Sequence, residues 1–314
     1  MAVGIGINTV FGFAPESTYG TYVAAAKFLE IQSENIKRSQ MRLSKPSLRR
    51  ASADHRVLGK KSVGGGFEFQ FSYSGAELLL KHVLGTNTTT GSGPYTHTMT
   101  GAIALPTGLS FYVGRDQAAI SGSTAFRYEG CKISKLTLTQ NAEEFLMAAA
   151  EVVGEDGSQA AAETPTYPTF SGATWDNFSC EVDDVAVGVE SAEITFVNNL
   201  ATGRHNLGTA TQREPLRNNV RDITGSLTLE YSDATQSIFA NTRSLTTNKL
   251  ELIWTKSASE SLTITLPTVQ WEGEDPEVSD GGPIKFKLNF RAFLSTTEGD
   301  ECSLVLVNGV SSIP

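Results

Sequence analysis

The clearest hydrophobic pattern in this chain has a period of two. From Val63 to Ser74, the residues Phe67, Phe69, Phe71 and Tyr73 alternate with Glu68, Gln70 and Ser72, which predicts a strand buried on one face. The period then changes. Ala76-Glu-Leu-Leu-Leu-Lys-His-Val-Leu84 fits a short helix, with Ser74 placed to cap its start and Gly85 its end. The same succession stands 160 residues later, where Leu227, Leu229 and Tyr231 alternate with Thr228, Glu230 and Ser232. Ser232 or Asp233 can cap a second helix over Ala234 to Ala240, ending near Asn241.

The correspondence continues at offsets of 141 to 143, as a shorter loop would cause. Leu109-Ser-Phe-Tyr-Val-Gly114 matches Leu250-Glu-Leu-Ile-Trp-Thr255. Arg127-Tyr-Glu-Gly130 matches Gln270-Trp-Glu-Gly273 as an aromatic-Glu-Gly end of a strand. Glu144 to Ala150 matches Lys285 to Arg291, which puts Phe145 on Phe286. One order of elements recurs, so the chain reads as mainly β: two tandem antiparallel β-sandwich or rolled-sheet domains, each with one flanking helix. The 314 residues are enough for two such cores. The expected boundaries are an N-terminal arm over 1–27, a first domain over 28–153, a linker over 154–168 and a second domain over 169–314. The linker is marked by small residues with Pro165 and Pro168.

Charge divides along the same line. The net charge of −9 resolves into +2 over residues 1–160 and −11 over 161–314. Before each Gly-rich strand lies a long basic stretch: residues 37–61 carry a net +8 and residues 197–221 a net +3. Excursions of that length from a compact domain are usually functional or disordered. Acidic residues cluster at Glu181, Asp183 and Asp184, at Glu272, Glu274, Asp275, Glu277 and Asp280, and at Glu298, Asp300 and Glu301. So acidic a chain is a poor general binder of nucleic acid, whereas a basic segment docking on an acidic patch of another copy would have its register and partner set by charge.

Material for catalysis is scarce. His55, His82, His97 and His205 stand in no metal-ligand spacing with one another or with Cys131, Cys180 and Cys302, and three scattered cysteines make no disulfide framework. Gly64-Gly65-Gly66 opens a strand, with no Lys-Ser/Thr after it, so a bulge or close backbone packing is expected and a phosphate cradle is not. Asp183-Asp184 and the 272–280 run lack the spacing of a calcium loop. No enzyme activity, cofactor or metal is expected. The first 26 residues lack the basic start of a signal peptide, and no stretch suits a membrane-spanning helix.

Taken together, Glu16-Ser-Thr-Tyr-Gly20, Lys27-Phe-Leu-Glu30, the Arg-rich 37–61 stretch, Gly64 to Phe71 and the Ala76–Gly85 helix resemble the tail tube proteins of tailed bacteriophages, in the form with two tube domains. The resemblance implies a virion structural protein, assembled in the host cytoplasm. Its inner sheets join those of neighbouring subunits around a lumen that tends to be negative, and its rings stack into a conduit for genome ejection. Three duplicated chains would make a trimeric, pseudo-hexameric ring. Genomic DNA would pass through without specific binding, and the tape measure, tail terminator and distal tail proteins would be partners, with no membrane involved. Arg42, Lys45, Arg49, Arg50, Arg56, Lys60 and Lys61 would form the inter-ring loop, and Glu181, Asp183, Asp184, Glu272, Glu274 and Asp275 its acidic receptor or the lumen. Lys285, Lys287 and Arg291 depart from an acidic lining if their strand faces the lumen. The alternative is a β-sandwich binding or virion decoration protein for carbohydrate or a capsid surface, to which the scattered Trp175, Trp254 and Trp271 lend no support.

Overall fold

In the computed structural model the described residues are 4–46, 48–49, 51–52, 55–116, 125–278 and 281–314. Among these residues the chain is mainly β with two α-helices, as its alternating pattern predicts. The strands up to residue 160 are β1 (Val10–Pro15), β2 (Lys27–Phe28), β3 (Ser33–Glu34), β4 (Lys37–Ser44), β5 (Arg56–Gln70), β6 (Thr88–Thr90), β7 (Tyr95–Thr100), β8 (Leu109–Gly114), β9 (Ala125–Asn141), β10 (Met147–Gly154) and β11 (Asp156–Ala160). After them come β12 (Phe178–Val182), β13 (Val185–Val187), β14 (Ser191–Val197), β15 (Asp222–Glu230), β16 (Asn248–Ser257), β17 (Glu260–Glu272), β18 (Lys285–Ala292) and β19 (Ser303–Asn308). Helix α1 (Glu77–Leu84) follows β5, and α2 (Asp233–Asn241) follows β15.

All the ladders are antiparallel. In the first set, β1 pairs with β2 and β8, β8 with β9, β9 with β10 and β11, β10 with β5, and β5 with β3 and β4. In the second set, β12 pairs with β13 and β16, β16 with β17, β17 with β18 and β19, β18 with β15, and β15 with β14. The two lists have the same form, with α1 and α2 in the same slot. Hairpin β6–β7 has no equivalent in the second list. Two further ladders join the sets, β9 with β14 and β7 with β19. One continuous apolar cluster, from Phe11 to Ile313, runs through both.

The aromatic strand is core, as its alternation predicts. Phe67, Phe69, Phe71 and Tyr73 are fully or almost fully buried, with Phe67 4.6 Å from Phe11 and 5.6 Å from Phe111, ring centre to ring centre. Each such side chain contributes about 1.5–3 kcal/mol by leaving water. The Gly triplet permits close backbone packing: a Cβ on Gly65 (φ +139°) would lie 2.5 Å from the Asn35 carbonyl oxygen, and one on Gly66 2.6 Å from that of Ala150. Gly85 ends α1 with φ +116° and donates its N–H to Lys81 O at 2.7 Å.

Several local expectations are corrected. Ser74 does not cap α1, because the helix starts at Glu77 with Ala76 in the N-cap position, two residues beyond Ser74; the Glu77 carboxylate turns back to accept the Gly75 N–H at 2.6 Å. Ser232 does cap α2, in a reciprocal box with Thr235. Arg127–Gly130 does not end a strand, because β9 runs on to Asn141; Tyr128 lies opposite Phe111, whereas Trp271 lies opposite Phe290 in a different part of the sheet. Phe145 does not hold the place of Phe286. Ala148 does, since Ala148 faces Phe69 as Phe286 faces Leu229. Residues 10–15 of the expected arm form β1 in the core, and residues 156–160 of the expected linker form β11.

Candidate functional site

Side by side, β4, β5, β10, β9, β14, β15, β18 and β17 make one sheet, four strands from each set. Period-two alternation buries one face and leaves the other open. One row of directly opposed residues on the open face runs Gln70, Met147, Thr139, Glu193, Ser226, Asn289 and Glu272. The next row includes Thr137 and Thr195, whose hydroxyls meet at 3.0 Å. Hydroxyls and interspersed charges of both signs therefore cover this face. Lys285, Lys287 and Arg291 do project from it, but Arg291 pairs with Asp222 at 2.6 Å, Lys285 with Glu190 at 2.6 Å, and Lys135 with Glu151 at 3.3 Å. Most of its cations are thus held by carboxylates, and the face offers no band of free positive charge to a polyanion.

The basic stretch 37–61 is an antiparallel hairpin. β4 and β5 pair from Lys37 opposite Gly64 to Ser44 opposite Arg56, and Lys45 N–H reaches His55 O at 3.0 Å. Arg42, Lys45, Arg49, Arg56 and Lys60 are exposed; Arg50 lies outside the described residues. The ribbon also exposes Met41, Leu43, Val57 and Leu58. Its root is clamped, since Arg38 and Lys61 reach Asp156 at 2.6 and 2.8 Å. Partial burial opposes ionisation of Asp156, yet Lys61, the Gly157 N–H and Arg38 together hold its carboxyl below the usual range.

Residues 198–221, the other basic stretch, turn inward. Asn198 is completely buried, and its Nδ2 donates to the carbonyls of Val83 and Ile133, each at 3.1 Å. Arg221 pairs with Glu301 at 2.6 Å and caps α1 by donating to Leu84 O at 2.6 Å. Arg217 donates to Ala102 O at 2.8 Å, and Lys132 meets Glu214 at 2.6 Å. Burial, and then the neighbouring Arg221, lower the pKa of Arg217.

The acidic residues expected as receptor or lumen fall in two places. Asp183 and Asp184 form the β12–β13 turn, where Asp183 accepts from Lys249 N at 2.8 Å and Asn248 Nδ2 at 2.5 Å. Glu181, Asp184 and Glu251 bring one carboxylate oxygen each within 4.8 Å of one another. A cation is already supplied there by Lys249, 2.7 Å from Asp184 and 2.8 Å from Glu251, whose own pKa these partners raise. Glu272 ends β17 on the open face, Glu274 follows it exposed, and Asp275 pairs with Arg243. Asn248 bridges the two places, because it also accepts from Trp271 Nε1 at 2.8 Å.

Sequence reasoning missed the structural role of Glu16 and an aromatic group. Glu16 accepts from Ser110 Oγ and Gly130 N at 2.8 Å and from Gly20 N at 2.9 Å; burial raises its pKa. It pins the N-terminal segment to β8 and β9, a role that its place in the Glu16–Gly20 stretch does not reveal. Phe145 and Phe170, 5.6 Å apart and partly exposed, stand beside exposed Trp175. Burial raises the pKa of all three thiols, which argues against reactive cysteine chemistry. No helix among the described residues is long and apolar enough to cross a membrane.

Among the described residues, then, the fold presents a β sheet with one open polar face of hydroxyls and paired charges. The sequence matches the family described as phage tail tube protein over residues 6–292, and the chain belongs to that family: it is a structural protein of the virion tail. No curated protein matches it.

Proposed function

We propose that the chain is built of two copies of one tube unit and assembles into rings that stack as the tail tube. The observation that carries this is the eight-strand sheet, with four strands of matching pairing order from each half and an open face of hydroxyls and balanced charge. Three chains would then supply six units, giving a trimeric, pseudo-hexameric ring whose lumen is lined by that face. Genomic DNA passes such a lining without specific binding during ejection, because most of its cations already have carboxylate partners. The 37–61 hairpin reaches the adjacent ring. An isolated two-stranded ribbon is marginal in water, and its exposed Met41, Leu43, Val57 and Leu58 favour an apolar seat. The tape measure, tail terminator and distal tail proteins meet the tube's bore and ends, and assembly takes place in the host cytoplasm. This reading leaves the chain no enzymatic role.

The exposed group of Phe145, Phe170 and Trp175 favours a second reading, a binding or decoration surface for carbohydrate or capsid. Negative-stain microscopy of the purified chain at high concentration separates the two. Hollow tubes or three-subunit rings are expected; a persistent monomer that retains a glycan would establish the second reading instead.

A further inference from the structure

The ladder that joins the two halves inside one chain is a template for a ladder between chains. β14 lies against β9 with Thr195 opposite Thr137. On one side, Lys37 lies opposite Gly64 and Ser33 opposite Glu68, as Thr195 lies opposite Thr224 and Ser191 opposite Thr228. β3–β4 therefore stands where β14 stands, with Lys37 in the place of Thr195. On the other side, Thr137 lies opposite Ala149, which lies opposite Glu68. Lys287 lies opposite Thr228, and carrying the register of Glu272 opposite Asn289 two residues further sets Glu274 beside Lys287. Glu274 thus takes the place of Thr137.

Both of these edges are open. β3 and β4 pair only with β5, and nothing pairs with residues 273–278 in a ladder, among the described residues. Lys37 and Glu274 are exposed, and neither has an ion-pair partner among the described residues. Where the internal seam holds a Thr–Thr hydroxyl contact of 3.0 Å, the equivalent external positions hold opposite charges.

We propose that Glu272–Glu274 of one copy add as a strand to the outer edge of Lys37–Ser39 of the next. The ladder is antiparallel, with Lys37 opposite Glu274, Arg38 opposite Gly273 and Ser39 opposite Glu272. This rests on the ring reading above and names its lateral partner and register. The seam is short for physical reasons. Pro276 has no N–H to contribute, and the Ile36 carbonyl is already taken by Arg115 Nη2 at 2.9 Å and Tyr128 Oη at 2.8 Å. Glu272 and Glu274 then belong to the lateral contact rather than to a receptor for the hairpin, and the opposed charges fix partner and register.

Cysteine pairing in the assembled full-length chain tests this. The native thiols are buried and stay out of the reaction. Lys37→Cys combined with Glu274→Cys should yield covalent oligomers on oxidation. Lys37→Cys with Glu272→Cys, two residues out of register, should not, because disulfides need Cβ atoms about 4 Å apart. Lys37→Glu should raise the concentration needed for assembly by about tenfold, and adding Glu274→Lys should restore it. Circular dichroism of each variant monomer verifies folding. Tubes that give no covalent oligomers, or that link equally in both pairs, overturn the seam and leave the ring reading standing. Failure of the unmodified chain to assemble overturns both.

Discussion

Residues 37–61 and 198–221 occupy the same slot in the two strand sets and are both basic, yet they do opposite things. The first stretch extends its strands into an exposed ribbon whose described cations beyond the root lie at the surface. The second forms no ladder strand among the described residues and sends Arg217 and Arg221 inside the chain, onto Asn198, Glu301 and the carbonyls that end α1, while Arg213 stays exposed. The difference shows that like charge in like sequence position does not imply like use. What decides is whether each side chain has an internal acceptor within reach. The outward stretch is left available to a partner, and the inward one stabilises the junction between halves.

The largest effect is expected where the inward stretch is cut. Arg221→Ala leaves Glu301 unpaired and removes one of the two donors to the Leu84 carbonyl, and should cost about 3–5 kcal/mol in urea unfolding, as loss of one partner of a buried pair does. An unchanged midpoint would mean that the loop is not a structural tie. Asn198→Ala, which leaves the Val83 and Ile133 carbonyls without their shared donor, should cost about 1–3 kcal/mol by the same measurement.

Acid should discriminate between the two stretches next. Burial, then Lys81 and Lys132, lower the pKa of His82 from 6.5 to about 3. The unfolded chain therefore binds this proton first as pH falls. Stability from keeping His82 neutral is fully present above its unfolded pKa and drains away toward the folded one, by at most about 1.4 kcal/mol per pH unit. His82→Gln should flatten unfolding free energy against pH between 6.5 and 4. Since His82 sits in the helix on which the inward stretch docks, protection of that stretch in hydrogen exchange should fall with it, and the hairpin's should not.

The smallest stability change belongs to the outward stretch. Arg42→Glu, Lys45→Glu, Arg56→Glu and Lys60→Glu together should move the unfolding free energy by no more than about 0.5 kcal/mol per site. The same variant should form shorter polymers under negative stain, and polymers of normal length would remove the hairpin from ring stacking.

Much of the fold is legible in the sequence because period and capping are local. Phe67 to Tyr73 declare their buried face by alternation, and Ser232 and Gly85 mark helix ends by chemistry that acts within one turn. Reading fails where distant segments decide. Phe145 looks like Phe286 by spacing, but a turn before β10 carries it out of the ladder, and only the cross-strand pairs reveal that Ala148 holds the equivalent place. Glu16 stands in the Glu16–Gly20 stretch, but its role as a buried acceptor is not legible there, because two of its three donors come from residues 110 and 130.

By itself, then, the amino-acid sequence determined a mainly β chain, the helices α1 and α2 beside their strands, an aromatic core strand, and two basic stretches in an otherwise acidic protein. Each of these follows from side-chain type at short range. Only the tertiary structure decided that β9 and β14 join the halves, that one basic stretch projects while the other is tied down, and that the acidic 272–274 run ends an open sheet edge. Those outcomes depend on which backbone edges and acceptors the folded chain leaves unpaired, and pairing over a hundred residues or more leaves no periodic trace in sequence.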